Sequence, residues 1–229
     1  MEMIRKNLPL FVATALTAVA LYVYGLVLDD FTLRIATKAF PVLAMIAFVA
    51  TVPTKYARGV LIGLVLCLAG DLLLEFRQRF FLPGMIAFML GHVAYCVAFV
   101  RRVKTPALHL AVPFLIWIVW ALITLWAGLG SMKIPVAVYT VAIFVMMWRA
   151  AAIVYAQERP SGWDWAVMIG ATLFAFSDTL IALDRFGDPV DGVRIPIILT
   201  YWTAQTLISL SVLSPNTELP AGSQITREV

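Results

Sequence analysis

The chain has 229 residues, 62% of them hydrophobic and 13% charged, with a formal net charge of +4 and a mean hydropathy of +0.94. A soluble domain is only about 45–50% apolar, so these proportions exclude a water-soluble globular protein and make the bilayer the relevant solvent. The positive charge makes no case for nucleic acid as a partner, because the basic residues fall in short breaks between apolar runs, as membrane topology requires.

A membrane-spanning helix needs about 20 mostly apolar residues. Taken in chain order, eight runs qualify: 8–28, 33–52, 57–76, 80–100, 107–127, 134–156, 163–184 and 194–214. Polar punctuation separates them: "DDF", "PTKYARG", "RQRF", "RRVKTP", "GLGSMK", "QERPSGWD" and "DRFGDPVDGVR". The first run follows a basic start but is long for a signal peptide, so it reads as an uncleaved first span. Cys67 and Cys96 both lie inside spans, outside any CxxC or Cys/His cluster, and are expected to pack as small hydrophobes. The expected fold is an all-α, polytopic membrane bundle of eight transmembrane helices. It forms a single domain over 1–214, followed at 215–229 by a polar tail expected to be disordered.

Eight spans put both termini on one side. The terminus-side loops hold nine Lys and Arg residues, Arg101, Arg102 and Lys104 among them, and the opposite loops hold six. The excess predicts a multi-pass protein of a bacterial inner membrane with both termini cytoplasmic. Arg149, near the cytoplasmic end of the sixth span, is expected to snorkel to the surface. Trp117, Trp120, Trp126, Trp163 and Trp165 are expected to form a lipid-facing or interfacial belt.

An ionisable residue inside a span costs about 2.5–3.5 kcal/mol on insertion scales, which makes it a functional candidate by default. Asp71 lies in "LCLAGDLLLEF" and Asp178 in "LFAFSDTLIALDRF". At about 1.5 Å per residue, both sit about one and a half turns from the non-cytoplasmic surface. Lys38 and Tyr201 enter spans two and eight at similar depth, and His92, Tyr95 and Gln205 lie somewhat deeper. Cys67, Asp71, Glu75 and Gln78 share one stripe of span three. A single polar cavity opening to that side would satisfy the whole set. His92 follows Asp71 by 21 residues and Tyr201 follows Asp178 by 23, an echo that suggests a parallel hairpin repeat. Against these readings stand blander ones. Either aspartate can serve only as interhelical packing glue, His92 as a satisfied core histidine, and Glu75, Asp184 and Arg185 as solvated helix ends.

Two hairpins carry a family resemblance. "GDLLLEF…FLPGMIAFMLGHVAYCVAFV" (Gly70 to Val100) and "FAFSDTLIALDRF…ILTYWTAQTLISLSV" (Phe174 to Val212) resemble the YhhN-like lysoplasmalogenase membrane proteins. The shared features are Gly-Asp after an apolar run, Gly-His-x-x-Tyr, Ser-Asp followed by Asp-Arg-Phe, and Tyr-x-x-x-Gln. The family often shows Lys-Pro in span two, whereas this chain reads "KAFPV", keeping Lys38 with the proline displaced. The resemblance implies a hydrolase that cleaves the vinyl ether bond of a lysophospholipid held in the bilayer, releasing a fatty aldehyde and a glycerophospho-head group. It implies Asp71 and Asp178 as catalytic residues. Lys38, Glu75, His92, Tyr95, Ser177, Asp184, Tyr201 and Gln205 are then candidates for binding substrate.

That chemistry suits two carboxyls. Vinyl ethers yield to acid and resist base: protonation of the β-carbon gives an oxocarbenium ion, water adds, and the hemiacetal collapses. One protonated carboxyl and one carboxylate are needed, and different surroundings can divide those roles between two aspartates. The first assignment is Asp71 as acid and Asp178 as base. No metal or organic cofactor is needed. Met85, Phe88, Met89, Phe174 and Phe176 are candidates for lining the path of the lipid chain. Two other classes stay open. A proton-coupled transporter would also use intramembrane carboxylates, although no pair of spans is broken at mid-membrane by Gly/Pro. A non-catalytic lipid-binding protein would use the same polar set for recognition. Oligomeric state and head-group preference are not written in the sequence.

Overall fold

Local signals start several of the helices. Asp30 accepts from the Leu33 N–H at 3.0 Å, Thr54 accepts from the Ala57 N–H at 3.0 Å, and Ser161 and Asp164 form a reciprocal capping box. The computed structural model describes residues 17–76, 79–189 and 191–218. The helices are α1 (Thr17–Val27), α2 (Phe31–Ala50), α3 (Lys55–Glu75), α4 (Phe81–Arg102), α5 (Ala111–Leu125), α6 (Lys133–Tyr155), α7 (Gly162–Phe186) and α8 (Arg194–Leu210). From α2 onward, each helix, with its adjoining 3₁₀ turn where there is one, is long and apolar enough to cross a membrane, which makes seven such spans. The protein is an integral, multi-pass helical membrane bundle.

The predicted spans match these helices to within a few residues. The first half of span 8–28 lies outside the described residues, as do Gln78 and positions 219–229 of the predicted tail. The tail's first residues, Pro215–Glu218, make a 3₁₀ turn. Pro41 sits inside α2, where its missing N–H leaves the Thr37 carbonyl without its helical donor. Successive helices run antiparallel. One end of the bundle therefore collects Asp29, Glu75, Asp184 and Arg194, and the other collects Lys55, Arg102 and Asp164.

Helices α3 and α4 form the closest pair because glycines remove the side chains between them. A Cβ on Gly63 would lie 2.2 Å from the Tyr95 ring, and one on Gly91 would lie 2.7 Å from Cys67 Sγ. Small residues that let backbones approach are how helices associate where lipid supplies no hydrophobic drive. Leu64, Tyr95, Phe99, Met146, Phe174 and Ile208 fill the shared core. Helix α5 is the loosest member, burying only Ile118 and Leu125. Trp120, Trp126 and Trp165 are exposed on the outer surface, as the belt reading expects.

The Arg102 end is closed by a buried polar cluster. Asp164, fully buried, accepts from Arg102, from Ser214 at 2.8 Å and from Asn216 at 2.8 Å. Arg102 also lies over the Tyr56 ring, 5.0 Å from its centroid. Arg102 was expected in a cytoplasmic loop; it is instead the last residue of α4 and buried. The snorkelling expected of Arg149 is likewise corrected. Arg149 is buried and donates to the carbonyls of Thr105, at 2.9 Å, and Val103. The chain folds back over α6 there, so local backbone oxygens take the place of interfacial water.

Asp164→Ala is expected to lower stability by about 3–5 kcal/mol, because Arg102 would stay buried without a counter-charge. Unfolding in detergent should show it. Trp120→Ala, on the outer face, should leave the midpoint nearly unchanged.

Candidate functional site

At the Glu75 end, charges are arranged across α2, α3 and α8. Arg34 and Lys38 stand one turn apart on α2, as do Asp71 and Glu75 on α3. Arg34 Nε meets Glu75 Oε1 at 2.8 Å, and its Nη1 meets Asp29 Oδ1 at 2.7 Å. Lys38 Nζ lies 3.5 Å from Asp71 Oδ1 and 3.6 Å from Glu75 Oε2. The other Asp71 oxygen accepts from the Tyr201 hydroxyl at 2.6 Å. The chain of donors runs inward from there: Gln205 Nε2 donates to the Tyr201 oxygen at 3.1 Å, and Tyr95 donates to Gln205 Oε1 at 2.7 Å. Asp71, Tyr95, Tyr201 and Gln205 are all buried, so each hydrogen bond removes a polar group that hydrocarbon would leave unsatisfied.

Asp178 stands in different company. Its Oδ2 accepts from the Tyr139 hydroxyl of α6 at 2.9 Å. His92 Nε2 lies 3.6 Å from the same oxygen, beyond hydrogen-bond length. His92 is fully buried, and neither ring nitrogen has a hydrogen-bond partner among the described residues. Its ring packs edge-on to Phe174 at 4.6 Å and Tyr139 at 5.4 Å. Phe174 also meets Tyr201 at 5.2 Å, and Phe88 meets both. Phe174 thus packs against a member of each group, Tyr201 on one side and His92 on the other. The hydrogen bonds and ion pairs of the polar set form two groups, one around Asp71 and one around Asp178.

Three neighbouring spaces lie beside these residues, with Lys38 and Glu75 on the first and Asp178 on the other two. The largest, about 380 Å³, is a vestibule whose walls include Tyr22, Lys38, Glu75, Asp184, Arg185 and Arg194. Leu74, Phe81 and Ile181 form part of its wall and also bound a space of about 50 Å³ against Asp178. A third space of about 60 Å³ lies between α5, α6 and α7 and shares Val136, Tyr139, Asp178 and Ala182 with the second.

Of the residues singled out in the sequence, Lys38, Asp71, Glu75, Tyr95, Tyr201 and Gln205 are brought together in one network. Asp178 and His92 form a second pair, and Asp184 lines the vestibule. Ser177 is directed elsewhere: it is buried and donates to the Ile197 carbonyl at 3.0 Å, tying α7 to α8. Phe176 is exposed on the outer face and Phe174 is locked in the core, whereas Met85 and Phe88 line the second space. Sequence reasoning missed Tyr139, a lone tyrosine with no motif around it. It also counted Arg34 as a loop cation, although its spacing of four from Lys38 was a usable signal. No group of three or more His, Cys, Asp or Glu among the described residues is placed to hold a metal ion.

Lys38→Met is expected to lower stability by about 3–5 kcal/mol, because it leaves Asp71 buried beside no cation. Adding Asp71→Asn should recover much of that loss. Unfolding midpoints of the wild type, both singles and the double, taken as a cycle, would measure the coupling; additivity would mean that the pair is not coupled.

The model of the YhhN family matches residues 33–212, which takes in α2 to α8 and both hairpins above. Lysoplasmalogenase TMEM86B of Sus scrofa is 33% identical over 186 residues, covering 78% of this chain and 77% of its own length. Lysoplasmalogenase TMEM86A of Bos taurus is 36% identical over 173 residues, 73% of this chain and 70% of its own. A Mycobacterium bovis lysoplasmalogenase is 29% identical over 177 residues, 73% of this chain and 65% of its own. No solved structure matches the chain. A match of this extent, covering every helix that builds the two clusters, makes the chain a member of the YhhN family.

Proposed function

We propose that this protein is a membrane hydrolase that cleaves the vinyl ether bond of lysoplasmalogen-type lysophospholipids, with Asp71 and Asp178 as its acid–base pair. Membership of the YhhN family and the names of the relatives support the reaction. The observation that carries the mechanism is the unequal company of the two carboxyls. Asp71 has a cation at 3.5 Å, whereas Asp178 has a neutral hydroxyl and an imidazole.

This asymmetry reverses the first assignment. Asp71, beside Lys38, suits the carboxylate role, and Asp178, among Tyr139, His92 and apolar walls, suits the proton donor. Asp178 gives its proton to the β-carbon of the alkenyl chain, leaving the positive charge on the carbon bonded to the ether oxygen. Water adds to that carbon and yields a proton to carboxylate, and the hemiacetal collapses to a fatty aldehyde and the glycerol hydroxyl. The net reaction consumes one water. Tyr201 holds Asp71 in place through the Gln205–Tyr95 relay. Lys38, Arg185 and Arg194 give the vestibule the positive charge a phosphate requires, and Glu75 and Asp184 supply negative charge for a cationic head group.

We also place both termini in the cytoplasm, which puts the vestibule at the opposite face. Ser131→Cys and Ser223→Cys should then label from opposite sides of sealed vesicles. Labelling of both from the same side would overturn the orientation.

Purified protein in detergent, given an alkenyl lysophospholipid, should release aldehyde detectable by mass spectrometry; none released would remove the reading. Asp71→Asn and Asp178→Asn should each lower turnover by about 10²-fold or more, and the double variant should be little worse than the worse single. The wild-type profile should be a bell in pH, since the acid must be protonated and the base ionised. The acidic limb is lost in Asp71→Asn, which no longer has a base to protonate, and the alkaline limb is lost in Asp178→Asn. Near wild-type turnover in either folded variant would take that aspartate out of the mechanism.

A further inference from the structure

We propose that the space between α5, α6 and α7 is the binding site for the substrate's hydrocarbon chain, and that a chain seated there holds the vinyl ether against Asp178. The inference rests on the hydrolase reading for its substrate but on the cavity walls for its location.

Adjacency is the first support. The vestibule shares Leu74, Phe81 and Ile181 with the inner space at Asp178, and that space shares Val136, Tyr139, Asp178 and Ala182 with the crevice beyond. The three spaces therefore adjoin one another in sequence, and Asp178 borders both inner ones. The order of surfaces along this path is charged, then carboxyl, then apolar. A lysolipid with a vinyl ether presents phosphate, glycerol, ether and alkyl chain in that same order.

The second support is the lining. Trp117, Ile118, Leu122, Leu125, Ile143 and Met147 supply most of the crevice wall. The hydroxyls that face it are already occupied. Thr140 donates to the Val136 carbonyl at 2.7 Å, Thr179 to the Ala175 carbonyl at 2.7 Å and Tyr139 to Asp178. The two threonines therefore offer methyl groups rather than donors, and Asp178 is the one charged group among the described residues of the crevice wall.

The third support is the wall that can yield. The crevice, about 60 Å³, is narrower than a long alkyl chain needs, so one side must move. Helix α5 forms that side; it buries Ile118 and Leu125, and Phe114, Trp117 and Leu122 are only partly buried against its neighbours. Its outer face is apolar, with Ile116 66% and Ile123 73% exposed. A chain arriving from the bilayer therefore meets apolar surface on both sides of the helix it displaces.

The test is photolabelling of the purified full-length protein in detergent with a lysophosphatidylcholine carrying a diazirine at the chain terminus. Labelled peptides should come from 111–125 and 133–155, on the crevice residues Trp117, Leu122, Ile143 or Met147. Excess unlabelled lysophosphatidylcholine should suppress that labelling. Labelling confined to other helices, or insensitive to competitor, would overturn the site. A second measurement uses Ala121→Trp, which narrows the crevice. It should lower kcat/KM for a hexadecenyl lysolipid about tenfold relative to an octenyl one, the scale of discrimination available to an apolar pocket. An equal loss for both lengths would count against the crevice. Photolabelling needs no turnover. Competed crevice labelling without aldehyde release would keep the tail site and remove the hydrolase reading, and turnover with labelling elsewhere would do the reverse.

Discussion

In hydrocarbon, a carboxylate must find its partners inside the bundle, because neither lipid nor bulk water can supply them. Asp71 of α3 meets that requirement with partners from two other helices: Lys38 of α2 on one oxygen and Tyr201 of α8 on the other. A rotation of any one of these helices would strand a charge, so their faces are fixed relative to one another. Gln205 and Tyr95 extend the constraint to α4. The tight α3–α4 seam follows from the same geometry, since Tyr95 reaches Gln205 by lying flat across the space that the missing Gly63 side chain leaves.

The bundle is polar at both ends and apolar between, but the two ends differ in kind. The Asp164 cluster is closed: its oxygens are shared among Arg102, Ser161, Ser214 and Asn216, and Asp164 and Arg102 are buried. Its physical role is to fasten α4, α7 and the segment after α8. The Glu75 end is open, with a vestibule of about 380 Å³ among charged side chains. Both sets of charges pair internally, and the second also borders a cavity.

At the same end of the bundle the two carboxyls differ in their immediate surroundings, one facing an ammonium group and the other a phenol and an imidazole. Division of acid and base roles between like residues rests on such differences of environment rather than on residue type.

The spans were legible in the sequence because a helix that crosses the bilayer must be about 20 apolar residues long, and polar residues can only interrupt at the ends. The stripe of Asp71 and Glu75, the depth of Lys38 and Tyr201 and the pairing of Tyr201 with Gln205 were legible for a similar reason, since helical period and rise are fixed. The family hairpins carried the same residues. Which side chain meets which was decided by the tertiary structure alone. Helix rotation and tilt come from packing against neighbours, and no local pattern records them. Tyr139 reaches Asp178 from α6, Arg102 reaches Asp164 across 62 positions of sequence, and Ser177 turns to a backbone carbonyl although it adjoins Asp178. The sequence by itself determined that ionisable residues would fall inside apolar helices and at what level along them. Only the packed bundle decided that they would fall into two clusters, because partners for a charge in hydrocarbon are chosen by the distances between helices.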